Sequence, residues 1–452
     1  MRAPVRLRPL ILGALLCLGP GLPGPVDAQA DLSRVQLATL PNGLRVLLAP
    51  DSLATAVEVG AWFGAGQADE NPLLPGITRV LEGLMWRGPG SEERSRRVAA
   101  AGGVAGSITT PDLTCFYETL PVSELELGLQ IEAARMRSLA VTPSELDAER
   151  ARIRAERGAR GETDPGARGL QRLFAAVFPG HPYRRPPAGT DAGLARITAR
   201  DCEADFRARF APNRALVSIV GRFDPAAALA LARATLGPLP RRAPPPPRPA
   251  PTAAPRVRRS SEPLDSQLRL LFLGWRAPAG GDPDAAPLDV LARVLASGPG
   301  SRLVRETAGA DSDLLFAKAA YEGRREGGLF YAFGALKPGA DSAAVEQALA
   351  ARIEKLATTP VEDEELERAK RQAESATLFG WQNVHGRGTA LGTAQLVEGD
   401  FRATWSRLEH IRKLSAADVQ RAAARVLKGE TRSAVWLVPS RRATQPGAAG
   451  GQ

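Results

Sequence analysis

The sequence predicts an α+β protein of two similar domains, each a mostly antiparallel sheet covered by helices. Three observations carry this reading. First, the chain repeats itself: Thr142-Pro143 opens TPSELDAERARIRAE, and 217 residues later Thr359-Pro360 opens TPVEDEELERAKRQAES. Second, at the same offset, Ile197-Thr198-Ala199-Arg200-Asp201 and Leu414-Ser415-Ala416-Ala417-Asp418 each begin a helix that leads into a strand. Ser or Thr followed three residues later by Asp is a helix N-cap signature. Third, Pro238 to Pro255 includes four consecutive prolines at 244–247. That density gives an extended, semi-stiff spacer, and it divides the chain.

The elements follow in order. Residues 1–30 read as an export signal: Arg2, Arg6 and Arg8, then the apolar run Leu10 to Leu18, then Ala28-Gln29-Ala30 as a cleavage site. The apolar run is too short for a membrane span, and no later segment is long and apolar enough to be one. The expected mature protein, cleaved after Ala30, is exported and periplasmic. LPNGLRVLLAPD (40–51) is a strand entered by a turn at Asn42-Gly43. Ala56 to Phe63 is the next strand, ending in the glycine-rich bend Gly64-Ala65-Gly66, and Leu216 to Val220 closes the first domain, 31–237. The linker is placed at 238–258. In the second domain, 259–440, the corresponding strands are Leu268 to Trp275 and Ala434 to Val438. Helices are expected around 76–86 and 286–296. The polar, glycine-rich stretch 441–452 is expected to be a disordered tail.

A mature chain of about 420 residues exceeds one ordinary core, in keeping with two domains. The net charge of +10 falls to +8 without the signal, which holds three Arg and one Asp. Only six of the basic residues are Lys, and the arginines are scattered among acids. Without a basic stripe and interleaved aromatics, nucleic-acid binding is not expected. Cys115 and Cys202 remain after export. They could form a disulfide in an oxidising compartment, or be two separate buried thiols.

The window GITRVLEGLM (76–85) carries the functional question. Ile77, Val80, Leu81, Leu84 and Met85 fall at i, i+3, i+4, i+7 and i+8, one buried helical face. Arg79, Glu82 and Gly83 share the opposite face. A glycine inside a helix costs roughly 1 kcal/mol relative to alanine, so Gly83 reads as a poor structural choice. The three histidines, His181, His385 and His410, are too far apart in sequence to form a helical ligand pair.

Taken in order, LPNGLRVLL, GAGQADE, GITRVLEGLMWRG, TCFYETLP, LGLQIEAARMRSL, FPGHPY and FAPNRALVSIVG in the first half, with LASGPGSRL, ELERAK and LSAADVQRAAARVL in the second, resemble the pitrilysin/insulinase family of zinc peptidases. The resemblance runs from about residue 37 to 439, nearest the small bacterial members and the mitochondrial processing peptidase subunits. It implies an insulinase-like half-clamshell. It also implies an inverted zinc motif, H-x-x-E-H, at the positions of Arg79, Glu82 and Gly83. Guanidinium has no lone pair to offer and glycine no side chain, so both histidine ligands are missing. Glu82 matches the general base and is expected to be a helix-surface carboxylate paired with Arg79. Glu156 matches the distant carboxylate ligand, a relic candidate, with Glu149 one helical face earlier. The family's Arg/Tyr pair, which stabilises the transition state, corresponds to Gly309 and Phe316. Arg305 or Tyr321 could compensate in space.

The resemblance therefore leads to a pseudo-peptidase without catalytic residues or zinc of its own, pairing with a homologous subunit that keeps the zinc motif and binding peptides. The alternatives are an autonomous peptide-binding or scaffold protein of the envelope, and an active metallopeptidase with a non-standard ligand set. His181, in GHPY, is expected to be a turn residue. Substrate and partner identity are not legible in the sequence.

Overall fold

The computed structural model describes residues 34–440 apart from Pro89, residues 246–256 and residues 310–311. The expected signal segment, most of the proline-rich linker and the expected tail lie outside the described residues. The first half runs β1 (Gln36–Thr39), β2 (Arg45–Pro50), β3 (Ala56–Phe63), α1 (Ile77–Arg87), α2 (Ser91–Ala100), β4 (Val104–Thr109), β5 (Thr114–Pro121), α3 (Leu125–Arg137), α4 (Pro143–Thr163), α5 (Pro165–Val177), α6 (Asp191–Arg196), α7 (Ala199–Arg209), β6 (Ala215–Gly221) and α8 (Pro225–Leu236). The second runs β7 (Arg259–Leu264), β8 (Arg269–Ala277), α9 (Ala285–Ala296), α10 (Arg302–Thr307), β9 (Leu314–Arg324), β10 (Gly327–Leu336), α11 (Ser342–Glu354), α12 (Asp363–Gly380), α13 (Val384–Thr393), α14 (Ala403–Lys413), α15 (Ala416–Val426) and β11 (Ser433–Pro439).

The α+β class and the internal repeat both appear in the strand order. The first sheet is β1-β2-β6-β3-β5-β4 and the second β7-β11-β8-β10-β9. Setting β1 aside, the two orders correspond strand for strand. Directions match too: β2 pairs parallel with β6 and β7 parallel with β11, while the other pairs are antiparallel. Both expected caps are complete. On α7, Asp201 N donates to Thr198 Oγ1 at 3.1 Å and Thr198 N to the Asp201 carboxylate at 2.9 Å. On α15, Ser415 and Asp418 do the same at 3.2 and 2.9 Å. Each pair satisfies donors that a helix start otherwise leaves open. The hairpin turn at Asn42-Gly43 also forms, with Gly43 at φ 88°, a left-handed conformation that favours glycine.

The inner face of each sheet packs on its own helices, giving two main cores. The outer faces are covered by exchange. Helix α5 leaves its own half and lays Leu173, Phe174 and Val177 on Phe272, Leu329 and Val435 of the second sheet. Helix α13 lays Val384 and Leu391 on Leu47, Trp62 and Val220 of the first. Glycines permit both approaches: a Cβ on Gly169 of α5 would overlap Phe272, and one on Gly392 of α13 would overlap Trp62. Burial from both sides explains why β3 and β8 read as nearly continuous apolar runs. The turn between β9 and β10 adds a polar clasp: Arg325 donates to Asp69 at 2.8 Å, and its backbone N to Asp112 at 2.9 Å. The halves are thus interlocked, not merely tethered by a spacer.

Candidate functional site

Helix α1 carries Arg79, Glu82 and Gly83, and both its ends are fixed by buried charge. At its start the Glu70 carboxylate accepts from Gly76 N at 2.9 Å and Thr78 N at 3.1 Å. Burial, only partly offset by these bonds, pushes the Glu70 carboxyl up to about 7. At its end the Arg135 guanidinium donates to Met85 O at 3.1 Å, held between Glu118 at 2.9 Å and Glu132 at 3.0 Å. All three are buried. Desolvation, then the Glu132 charge, raises the Glu118 carboxyl well above the usual range. Between these anchors α1 cannot slide, so the residues on its outward face are held in register against α4.

Across that seam the structure brings together more than the sequence singled out. Arg79 bridges Glu82 on its own helix and Glu156 on α4, the latter at 2.9 Å. The other Glu82 oxygen accepts from Ser107 of β4. Glu149 lies beside Gly83, paired with Arg87 at 3.0 Å and with Arg152 Nε at 3.0 Å, and Arg152 also reaches Glu156. Three guanidinium groups and three carboxylates form one connected network. The sequence reading had missed Arg87, Arg152 and Ser107. The spacing Glu149, Arg152, Glu156 on one helix was the available signal, hidden because exposed helices produce such spacings freely.

Two expectations need correction. Glu82 is not a helix-surface carboxylate: it is 5% exposed, walled in by Arg79 and Ser107. Gly83 is not a poor choice for this structure, because a Cβ there would overlap the Glu149 carboxylate. Glu149 is itself 5% exposed and held by two arginines, so it cannot step aside freely. The glycine makes the room that the carboxylate fills.

The network's electrostatics are self-consistent. Burial alone would raise the Glu156 carboxyl, but Arg152 and Arg79 outweigh it and hold it below the usual value. Arg152 is raised, chiefly by its bond to Glu149. Arg79 is lowered by burial and by repulsion from Arg152. These residues do not fit the zinc that the H-x-x-E-H resemblance implies. A zinc site needs three or four imidazole, thiolate or carboxylate donors converging on one point, whereas here each carboxylate is taken by a guanidinium. Among the described residues no cluster of three or more His, Cys, Asp or Glu could hold a metal ion.

The candidates for the Arg/Tyr pair do not meet. Phe316 lies on β9 and packs edge-on against Phe333, ring centroids 5.9 Å apart. Gly309 sits in the turn after α10. Arg305 pairs with Glu365, and the Tyr321 hydroxyl donates to Pro278 O at 2.9 Å. Cys115 and Cys202 are separate, buried and free. His181 is a buried turn residue: its Nδ1 accepts from Tyr183 N at 3.1 Å and its Nε2 lies 3.1 Å from Glu326. His385 pairs with Glu58, and His410 is exposed on α14.

Two homologous α+β halves, interlocked and bearing a helix-borne charge cluster between α1 and α4, define the class of this chain: a two-domain protein built by repetition of one sheet-and-helix unit. Residues 45–191 match Insulinase (Peptidase family M16), and residues 196–373 match the Peptidase M16 inactive domain. The chain belongs to the insulinase family. An uncharacterised zinc protease of Mycobacterium leprae is 26% identical over 92% of this chain and 94% of its own length. The zinc protease PqqE of Helicobacter pylori is 25% identical over 95% and 98%. Among solved structures, a protease from Helicobacter pylori superposes with a TM-score of 0.83 at 23% identity, covering 90% of this chain and 99% of that one. A peptidase M16 inactive domain from Pseudomonas fluorescens gives 0.80 at 18% identity over 90% and 98%. Both confirm the two-domain α+β fold. Among the described residues no helix is long and apolar enough to cross a membrane.

Proposed function

We propose that this chain is a non-catalytic member of the insulinase family, exported to the cell envelope and cleaved after Ala30, which pairs with a zinc-bearing homologue to bind and process peptides. The observation that carries this reading is the Arg79 guanidinium bridging Glu82 and Glu156. It neutralises the carboxylate that would act as general base and occupies the space between the two. Beside it, Glu149 fills the room that a side chain at position 83 would need. Phe316 and Gly309 leave the chain without the second half of the family chemistry as well. The residues that remain can hold a peptide but offer no activated water and no donor pair for an oxyanion.

The test uses the purified mature chain. Elemental analysis should find no stoichiometric zinc, and an unstructured peptide should stay intact with or without chelator. About one zinc per chain, or chelator-sensitive cleavage, would overturn the reading. Co-purification from the native envelope should recover a homologue carrying H-x-x-E-H. A strictly monomeric protein that still binds peptide would favour an autonomous envelope scaffold, a reading the missing Arg/Tyr pair also supports.

A further inference from the structure

Next to the charged seam lies a cavity of about 620 Å³, bounded by α4, α5 and the segment 183–188. Its floor is apolar, with Ile153, Leu170 and Phe174 among the lining residues. Its charged lining is mostly of one sign: Arg79, Arg157, Arg168, Arg172, Arg185 and Arg324 line it, against the single carboxylate Glu156. Apart from Glu156, which pairs with Arg79, the counter-charges named here sit outside the lining. Arg157 leans on Asp191, Arg324 on Glu322 at 2.7 Å, and Arg168 and Arg172 share one carboxylate, Glu262. Arg324 is also held flat, its guanidinium carbon 3.5 Å from the Phe174 ring centroid and 4.9 Å from that of Tyr183. Stacking of this kind fixes a donor fork before a ligand arrives, so less freedom is lost on binding.

We propose that this cavity binds an acidic polypeptide segment, with carboxylate side chains on the arginines and apolar side chains on the floor. The inference rests on the reading of the chain as a peptide-binding, non-catalytic family member and names the class of peptide it takes. Charge complementarity selects the occupant. Guanidinium forks bind carboxylates in paired geometry, and a basic segment would be repelled by the same lining.

The experiment measures binding of three unstructured peptides to the full mature chain by fluorescence anisotropy: one rich in Glu, Asp and Phe, one neutral, one rich in Lys and Phe. The acidic peptide should bind most tightly, with affinity falling as salt is added. Arg168→Glu combined with Arg172→Glu, at half-exposed positions on α5, should weaken it about tenfold or more while the neutral peptide changes little. Arg168→Gln with Arg172→Gln, which reverses no charge, should give a smaller loss. Equal binding of acidic and neutral peptides, or no effect of the charge reversal, would overturn the inference and leave the peptide-binding reading standing. No binding of any peptide would overturn both. A single-stranded oligonucleotide binding as tightly as the acidic peptide would overturn the assignment to peptide.

Discussion

The two halves solve the same packing problem differently at one seam. GPGS recurs at 88–91 and 298–301, which sets α1 beside α9 and places Arg79, Glu82 and Gly83 opposite Asp289, Ala292 and Arg293. In the second half the α12 side of the seam is apolar, with Leu366, Ala369 and Ala373 buried, and the α9 side keeps one partly exposed ion pair within the helix, Arg293 to Asp289 at 3.1 Å, beside the buried Ala292. In the first half the seam between α1 and α4 carries three carboxylates and three guanidinium groups, two of the carboxylates almost fully buried. Taking a charge out of water costs several kcal/mol unless partners offset it. The second half shows that this architecture needs no buried carboxylates and no charge network across the seam. The buried charge network of the first half is therefore not a requirement of the fold, and it lies at and beside the positions that the resemblance matches to H-x-x-E-H.

The largest expected effect tests the apolar side of that comparison. Leu291→Ala, at a fully buried position, should cost about 2–5 kcal/mol, as cavity-forming core substitutions do. Glu149→Ala in the charged seam should cost less, about 1–3 kcal/mol. Arg87 and Arg152, whose side chains are 39% and 25% exposed, can turn to water when their partner is removed. Denaturant midpoints at unchanged m give both numbers. A larger loss from Glu149→Ala would mean that the network, not the apolar packing, holds its half together.

A smaller effect with a change of sign sharpens the role of Gly83. Alone, Gly83→Ala should destabilise by about 1–3 kcal/mol, because its Cβ meets the held Glu149 carboxylate. In the Glu149→Ala background the same substitution should stabilise by roughly 1 kcal/mol, the ordinary helix preference for alanine. The double-mutant cycle reads the coupling directly. Additive effects would show that Gly83 and Glu149 are not matched.

Much of this was legible in the sequence, and the divide has a physical cause. Strands β3, β6, β8 and β11, helices α1 and α9, and both capping boxes were readable because each is written in local periodicity or in a three-residue spacing. The repeat offset gave the two-domain plan. The exchange of α5 and α13 was not readable: which sheet an amphipathic helix covers is decided by tertiary fit, here by Gly169 against Phe272 and Gly392 against Trp62. The site was half legible. Arg79, Glu82 and Gly83 stood out as departures from a motif, but Arg87 and Arg152 look like any solvated arginine until α1 and α4 are brought together. Gly83 was misjudged because helix propensity is a local quantity, and the residue that demands the glycine lies 66 positions away.

The exchanged helices offer a second comparison, and with it the smallest predicted effect. Helix α5 meets the second sheet through apolar contacts, with partly exposed ion pairs from Arg168 and Arg172 to Glu262 at the edge, whereas α13 brings His385 Nδ1 to 2.7 Å from Glu58, a fully buried carboxylate on β3. Thr119 donates to the same Glu58 oxygen at 3.2 Å, and the imidazole stacks on Tyr117 with ring centroids 4.1 Å apart. Burial raises the Glu58 carboxyl above its ordinary 4.5, against the pull of His385. The bond to Glu58 raises His385 above its ordinary 6.5, against the effect of burial. Both folded values lie above the unfolded ones, so both groups contribute stability that is present at low pH. The Glu58 contribution is lost as pH rises from 4.5, and that of His385 as pH rises through 6.5 and its elevated folded value. Glu58→Gln removes one titrating group and the charge that raises the other, while keeping the shape and a hydrogen bond. The melting temperature of the parent minus that of the variant should therefore be greatest at low pH, at and below about 4.5, and shrink as pH rises through 6.5 and beyond. The same measurement on Gly169→Ala, which disturbs the apolar helix contact, should give a difference that does not move with pH. A constant difference for Glu58→Gln would show that the pair does not titrate in this range.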